Sequence, residues 1–307
     1  MYEKLLARIG NMSGTWLIFI GSVLWSTAGG VSKCISVDPI FLAGMRSLLA
    51  GLVLMPLLRP KRIVFDRWFF LFVGSYAALT MVILSAIRLT TASNALALQY
   101  TAPLWIVIVS FLFFKKRYTL RKLIPTAIIV AGIVIFLIEP KTGSNFAGNL
   151  LGVLSGAAFA AVTVCLRRVQ GGGTLSTVAA VNLCAGPVIL LIASLSPGVS
   201  MDMSWSELPY VLFLALFQLA LGYVFYSMGT QKVPPQRATL LAVWEFVLTP
   251  LWAWLLVGEL PTLYGAIGWI VLLAAIFIDH WLNKDEAAVA PPSIPQTAAQ
   301  PQEQAAG

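Results

Sequence analysis

The chain has 307 residues, of which 59% are hydrophobic and only 10% charged, with a formal net charge of +8. A soluble domain is usually about a quarter charged because its surface faces water, so a water-facing globule is excluded, and apolar runs of about 20 residues mark a chain that crosses a bilayer repeatedly. The positive excess falls in short loops between those runs, not on the continuous basic face of a nucleic-acid binder.

In chain order, residues 1–14 form an N-terminal segment whose basic start imitates a signal peptide. The apolar stretch after it continues to about Lys33 with no A-x-A cleavage site, so it reads as a retained first span. Ten spans are expected, near 15–33, 38–58, 68–87, 92–114, 123–139, 148–168, 176–195, 208–229, 235–257 and 262–282. They are read as helices, since a helix satisfies its own backbone polar groups in lipid. A membrane barrel would instead show alternating segments of about ten residues. Residues 283–307, rich in Pro, Gln and Ala, are expected to be a disordered tail.

Lys and Arg in the loops set orientation. Arg59, Lys61, Arg62 and Arg67 lie in one loop, and Lys115, Lys116, Arg117, Arg121 and Lys122 in another. Arg167, Arg168, Lys232 and Arg237 fall on the same side as Lys4, Arg8 and Lys284. The opposite side carries only Lys33, Arg88 and Lys141, so both termini are expected to be cytoplasmic.

The two halves resemble each other. "TWLIFIGSVLWSTAGGVSK" lies on "NLLGVLSGAAFAAVTVCLRR", and "NALALQYTAPLWIVIVSFLFFKKRYT" on "RATLLAVWEFVLTPLWAWLLVGELPT". A tandem copy with five spans per half enters the membrane from opposite sides, which makes the halves, 15–139 and 148–282, inverted repeats of the kind used for alternating access.

The same stretches carry a family resemblance. The duplicated five-span pattern, "GSVLWSTAGGVSK", "GMRSLLAGLVL", "ASNALALQYTAPLWIVIVSFLFF" and "WLLVGELPT" together resemble the EamA family of the drug/metabolite transporter superfamily. The resemblance implies a ten-helix transporter with a central cavity, which exports amino acids, other small metabolites or toxic compounds. The family often has a Glu after span four, where this chain has Lys116, while Glu259 keeps the second-half counterpart. It also often has Glu-Pro in span nine; here Glu245 is followed by Phe246, with a proline at Pro250.

Glu245 lies about eight residues past Arg237, about 12 Å into the membrane at 1.5 Å per residue. An ionisable group at that depth is by default a functional-site candidate. Arg46 lies at a similar depth from the opposite face, so the two have two readings: a fixed pair holding the bundle, or a proton site or cationic-substrate partner at Glu245. Glu245, Thr249 and Trp252 share a helical face, as do Gln218, Gly222 and Tyr226. Gln99 and Tyr100 in span four and Asn182 in span seven read equally as interhelical hydrogen bonders and as cavity lining. Trp25, Tyr76 and Trp244 read as packing residues, or as cavity walls suited to aromatic or cationic solutes.

The stripe Gly148, Gly152, Gly156, Ala160 predicts close approach of span six to a neighbour, and Pro103, Pro187 and Pro250 predict mid-span kinks. The three cysteines, Cys34, Cys165 and Cys184, have no metal-type spacing and read as reduced, buried small residues. His280 beside Asp279 forms no HExxH motif, and the chain has no Walker A loop. The expectation is therefore a carrier without cofactor or metal, not an enzyme, channel or receptor. It moves small metabolites, amino acids foremost, as a proton-linked or exchange-driven exporter. Drug efflux and metabolite import are the alternatives within the same fold. Its expected partners are a small-molecule substrate and the lipid bilayer of a plasma (bacterial inner) membrane; a homodimer is compatible.

Overall fold

The computed structural model describes residues 11–58, 63, 65–102, 104–106, 108, 120–138, 146–168, 174–230, 232–233 and 235–288. Pro103, Lys4, Arg8, Arg59, Lys61, Arg62, Lys115, Lys116, Arg117, Lys141 and the tail from 289 lie outside the described residues, as do the side chains of Arg121, Lys122, Arg167, Arg168, Arg237, Asp279, His280 and Lys284.

Every regular element among the described residues is helical. In chain order these are α1 (Gly14–Lys33), α2 (Pro39–Leu54, extended by a 3-10 turn, Met55–Leu57), α3 (Arg67–Leu89), α4 (Ala92–Gln99), α5 (Leu120–Leu137), α6 (Phe146–Arg168) and α7 (Thr174–Leu195). α8 begins at Leu208–Phe213, passes through a π-helical stretch, Leu214–Leu221, and continues as Gly222–Thr230. α9 (Pro235–Val257) and α10 (Leu263–Ala288) complete the bundle. Among the described residues six stretches are long and apolar enough to cross a membrane: Gly14–Lys33, Pro39–Leu57, Arg67–Leu89, Phe146–Cys165, Leu175–Leu195 and Leu208–Gly229. Shorter apolar helices run over Leu123–Ile135, Trp244–Val257 and Leu263–Ile278.

The helix starts are written locally. Ser13, Asp38, Asp66 and Thr91 each accept a hydrogen bond from a first-turn amide of α1, α2, α3 and α4, which satisfies donors that a helix leaves open at its N-terminus. Pro39 starts α2, where its missing N–H costs nothing.

Packing follows a rule of exchange. α1 packs on α8 and α9, and α6 packs on α3 and α4. α2 packs on α7, and α5 on α10. Replacing each helix by the one five places along returns the same set of pairs. The glycine stripe of α6 serves both of its contacts: a Cβ at Gly148 would come within 2.7 Å of the Leu89 backbone of α3, and one at Gly152 within 2.9 Å of Leu98 Cβ of α4. Of the three free thiols Cys165 is buried and Cys34 half-buried, but Cys184 is exposed; its place on the outward side of α7 overturns the expectation of burial there.

Candidate functional site: two inward charges in an aromatic frame

α9 carries Glu245 mid-helix. Pro250 lacks the N–H that would bond the Phe246 carbonyl four residues back, and Trp269 Nε1 of α10 donates to that carbonyl at 3.4 Å. The Thr249 hydroxyl donates to the Glu245 carbonyl at 2.7 Å and lies 3.4 Å from the Ser26 carbonyl of α1. Trp252 Nε1 donates to Ser26 Oγ at 2.9 Å. One face of α9 is thereby stitched to α1, so Thr249 and Trp252 hold helices together; the carboxylate turns toward α4.

There the Tyr100 hydroxyl donates to Glu245 Oε2 at 2.9 Å and lies 3.3 Å from the Ala242 carbonyl. Trp25 of α1 covers the same region. Its ring centroid is 4.6 Å from that of Tyr226 and 5.0 Å from that of Tyr223, and its indole Nε1 is buried without a hydrogen-bond partner. Gly222 makes room for it, since a Cβ there would lie 2.6 Å from Trp25 Nε1. Gln99 Oε1, next to Tyr100 in the chain, is also buried and unpartnered.

Arg46 of α2 is 4% exposed. Its Nη1 donates to Gln218 Oε1 at 3.5 Å, at the long limit of a hydrogen bond, and its Nε is buried without a partner. Around it, the Tyr76 hydroxyl donates to Asn182 Oδ1 at 2.9 Å, and Asn182 Nδ2 donates to the Val178 carbonyl at 2.9 Å. Ser47 Oγ faces Tyr76 but makes no well-formed hydrogen bond. Of the two readings, the fixed Arg46–Glu245 pair does not form: each has a neutral partner, and Tyr223 stands within electrostatic reach of both.

Tyr223 is the member that sequence reasoning missed. An α-helical period groups Gln218 with Gly222 and Tyr226. The π-helical stretch Leu214–Leu221 bonds i to i+5, which brings Tyr223 onto the face of Gln218. Such stretches are frequent at functional sites, and no residue type in the sequence announces one. Trp244 departs the other way. It is 43% exposed and packs edge-on against Phe19, at 5.6 Å between centroids, away from the Glu245 cluster. One residue along a helix is a turn of about 100°, so neighbours of a buried carboxylate point elsewhere.

A second polar array closes the bundle at the Lys33 end. Lys33 pairs with Glu259 and donates to the Thr90 carbonyl at 3.0 Å, while the Ala92 amide donates to Glu259 Oε1 at 2.6 Å. Glu207 accepts from the Ser36 hydroxyl at 2.6 Å and from the Ser204 amide at 3.0 Å. These hydrogen bonds hold its carboxyl at about 2, below the usual glutamate range. Arg88 Nη2 donates to the Val37 carbonyl at 2.7 Å. Among the described residues no cluster of His, Cys, Asp or Glu has metal-binding geometry. An apolar cavity of about 230 Å³ between α4, α9 and α10, walled by Val247, Pro250 and Trp269, is lined by none of the predicted site residues.

Comparison with known proteins places this arrangement. An uncharacterized transporter of Archaeoglobus fulgidus is 26% identical over 272 residues, 86% of this chain and 95% of that protein. An uncharacterized transporter of Methanothermobacter thermautotrophicus is 22% identical over 209 residues, 66% of this chain and 61% of that protein. A solved crystal structure shares the fold at a TM-score of 0.62 with 21% identity, covering 89% of this chain and 98% of its own. The pattern of the EamA-like transporter family matches twice, over residues 12–138 and 146–278. With both matches covering most of an all-helical, apolar chain, the protein belongs to the EamA-like transporter family, within the drug/metabolite transporter superfamily.

Proposed function

We propose that the protein is a secondary transporter that moves a small metabolite, an amino acid or a related compound, by alternating access as a proton-linked or exchange-driven exporter. Its ten helices span the plasma membrane as two inverted repeats, 15–139 and 148–282, with both termini cytoplasmic. The double family match and the exchange of helix pairings between halves support the repeats. The observation that carries the transport reading is the buried polar centre. Arg46 and Glu245 come from different halves, sit among Tyr76, Tyr100, Tyr223, Tyr226 and Trp25, and are not spent on each other.

Ionisable groups inside a membrane bundle mark substrate or proton paths. Glu245 is the coupling residue in this reading, with Tyr100 as its hydrogen-bond donor in the closed state. Gln99, Asn182 and Gln218 supply polar contacts along the path. The Lys33–Glu259 and Glu207–Ser36 contacts shut one end of it.

Counterflow in proteoliposomes tests the proposal, with a panel of labelled amino acids, amines and nucleosides. Accumulation of one class, abolished by its unlabelled form, is the expected result. Failure of every compound to accumulate, with protein shown to be folded, would overturn the carrier reading.

A further inference from the structure

We infer that Arg46, with Ser47 beside it, is a receptor for the carboxylate of the transported solute. The inference rests on the transport reading and adds to it the group that the substrate must carry.

The argument starts from an imbalance. A guanidinium taken out of water costs several kcal/mol unless a well-placed anion compensates it. Arg46 is almost wholly buried, yet no carboxylate among the described residues lies within ion-pair distance of it. Its one hydrogen bond, at 3.5 Å, goes to a neutral amide. The Glu245 carboxylate, which offers the obvious compensation, is bonded to Tyr100 instead, with Tyr223 within reach of both charges.

The unpartnered donors specify the ligand. Arg46 Nε is buried and unbonded, and the Nε edge of a guanidinium is one of the two edges that take a carboxylate bidentately. Ser47 Oγ, which faces Tyr76 as Arg46 does, is also buried without a well-formed hydrogen bond and adds a hydroxyl donor. Gln218 keeps Nη1 occupied, and Tyr76, fixed by Asn182, stands beside both Arg46 and Ser47. A small, planar, singly charged oxyanion matches one guanidinium edge and one hydroxyl. Tyr223 stands within electrostatic reach of both Arg46 and Glu245 and packs on Trp25, so the remainder of the solute would extend along these rings.

The test uses the full chain purified in detergent. Its melting temperature is measured with amino acids, monocarboxylates and dicarboxylates, each beside its carboxamide, and with inorganic phosphate. At least one carboxylate is expected to stabilise the wild type while its amide does not. Ser47→Ala should weaken that carboxylate about tenfold, the share of one hydrogen bond to a charged group. Arg46→Met should abolish the stabilisation without lowering the melting temperature of the ligand-free protein, because an unpaired buried charge gives way to an apolar side chain of similar length.

Stabilisation by amides as well, by phosphate alone, or by no carboxylate in the panel overturns the inference. So does an Arg46→Met protein that melts many degrees lower yet still responds to carboxylates, the mark of a structural arginine. Binding without counterflow would leave the carboxylate receptor standing and remove the carrier; counterflow without carboxylate dependence would do the reverse.

Discussion

The two polar regions of the bundle handle charge in opposite ways. At the Lys33 end, Lys33 meets Glu259, Glu207 meets Ser36 and Ser204, Arg88 meets the Val37 carbonyl, and Asp38 caps α2. In the centre, Arg46 Nε, Ser47 Oγ, Trp25 Nε1 and Gln99 Oε1 are buried without partners. Native proteins rarely leave such groups unmatched, because each costs about 1–3 kcal/mol. The satisfied end stabilises the shape observed. The unsatisfied centre destabilises that shape by itself; in the proposed transport reading it reserves hydrogen-bonding capacity for something that arrives and leaves. A carrier needs both: a closure strong enough to hold, and a centre that is completed only by its cargo.

The largest expected effect comes from removing the central acid. Glu245→Gln keeps shape and the Tyr100 contact but cannot take or release a proton. Counterflow measured from pH 5 to pH 9 should lose its pH dependence, and net proton-driven flux should fall by at least an order of magnitude, as for loss of an essential proton carrier. Unchanged rate and pH profile would assign Glu245 to structure and leave exchange as the only energy source.

Next in size is the Lys33–Glu259 contact, whose side chains are 21% and 15% exposed. Glu259→Ala leaves Lys33 and the Ala92 amide short of an acceptor. In a background with Cys165 and Cys184 replaced by Ser, maleimide labelling of Cys34, the residue after Lys33, should rise about tenfold, in line with the loss of about 1.5 kcal/mol from a partly buried charged contact. Lys33→Ala should add little on top of Glu259→Ala, since the two act as one pair. Additive effects would mean that the pair does not hold this end shut.

How much of this was legible in the sequence follows from which interactions are local. Helix positions were, because apolar runs are local signals. The candidate charges were too: an arginine and a glutamate inside apolar runs stand out at once. Their partners were not. Glu245 chose Tyr100, 145 positions away, over Arg46, and Lys33 chose Glu259, 226 positions away. Such choices depend on how helices rotate against each other. Tyr223 was hidden by a change of helical period, while Trp244 packs on Phe19, the first of the two readings given for it.

A smaller effect probes the other contact of the closed end. Glu207 has its carboxyl at about 2, below the ordinary value of 4.5, because Ser36 and Ser204 bond its charged form. A depressed folded-state pKa contributes stability that is complete above about 4.5 and is lost as pH falls toward about 2. The melting temperature of the wild type should therefore decline, through this group, only below the ordinary glutamate range. Glu207→Gln should remove that acid-side decline and lower the melting temperature at pH 7 by a few degrees, as expected for about 1 kcal/mol. An unaltered acid limb would show that Glu207 does not secure the 1–2 connection.

The smallest effect isolates one hydrogen bond at the proline that follows Glu245 in α9. Pro250 frees the Phe246 carbonyl, and Trp269 Nε1 takes it up while its ring stacks on Phe246 at 5.2 Å. Trp269→Phe keeps an aromatic ring and removes the donor, which should cost about 1 kcal/mol in thermal stability. Pro250→Ala restores a backbone N–H for the same carbonyl. In that background Trp269→Phe should cost close to nothing, and the cycle of single and double variants measures the coupling directly. An equal cost in both backgrounds would show that the indole contributes packing alone. A vanishing cost would mean that α10 replaces the bond the proline removes, so that the turn of α9 after Glu245 is held from outside its own helix.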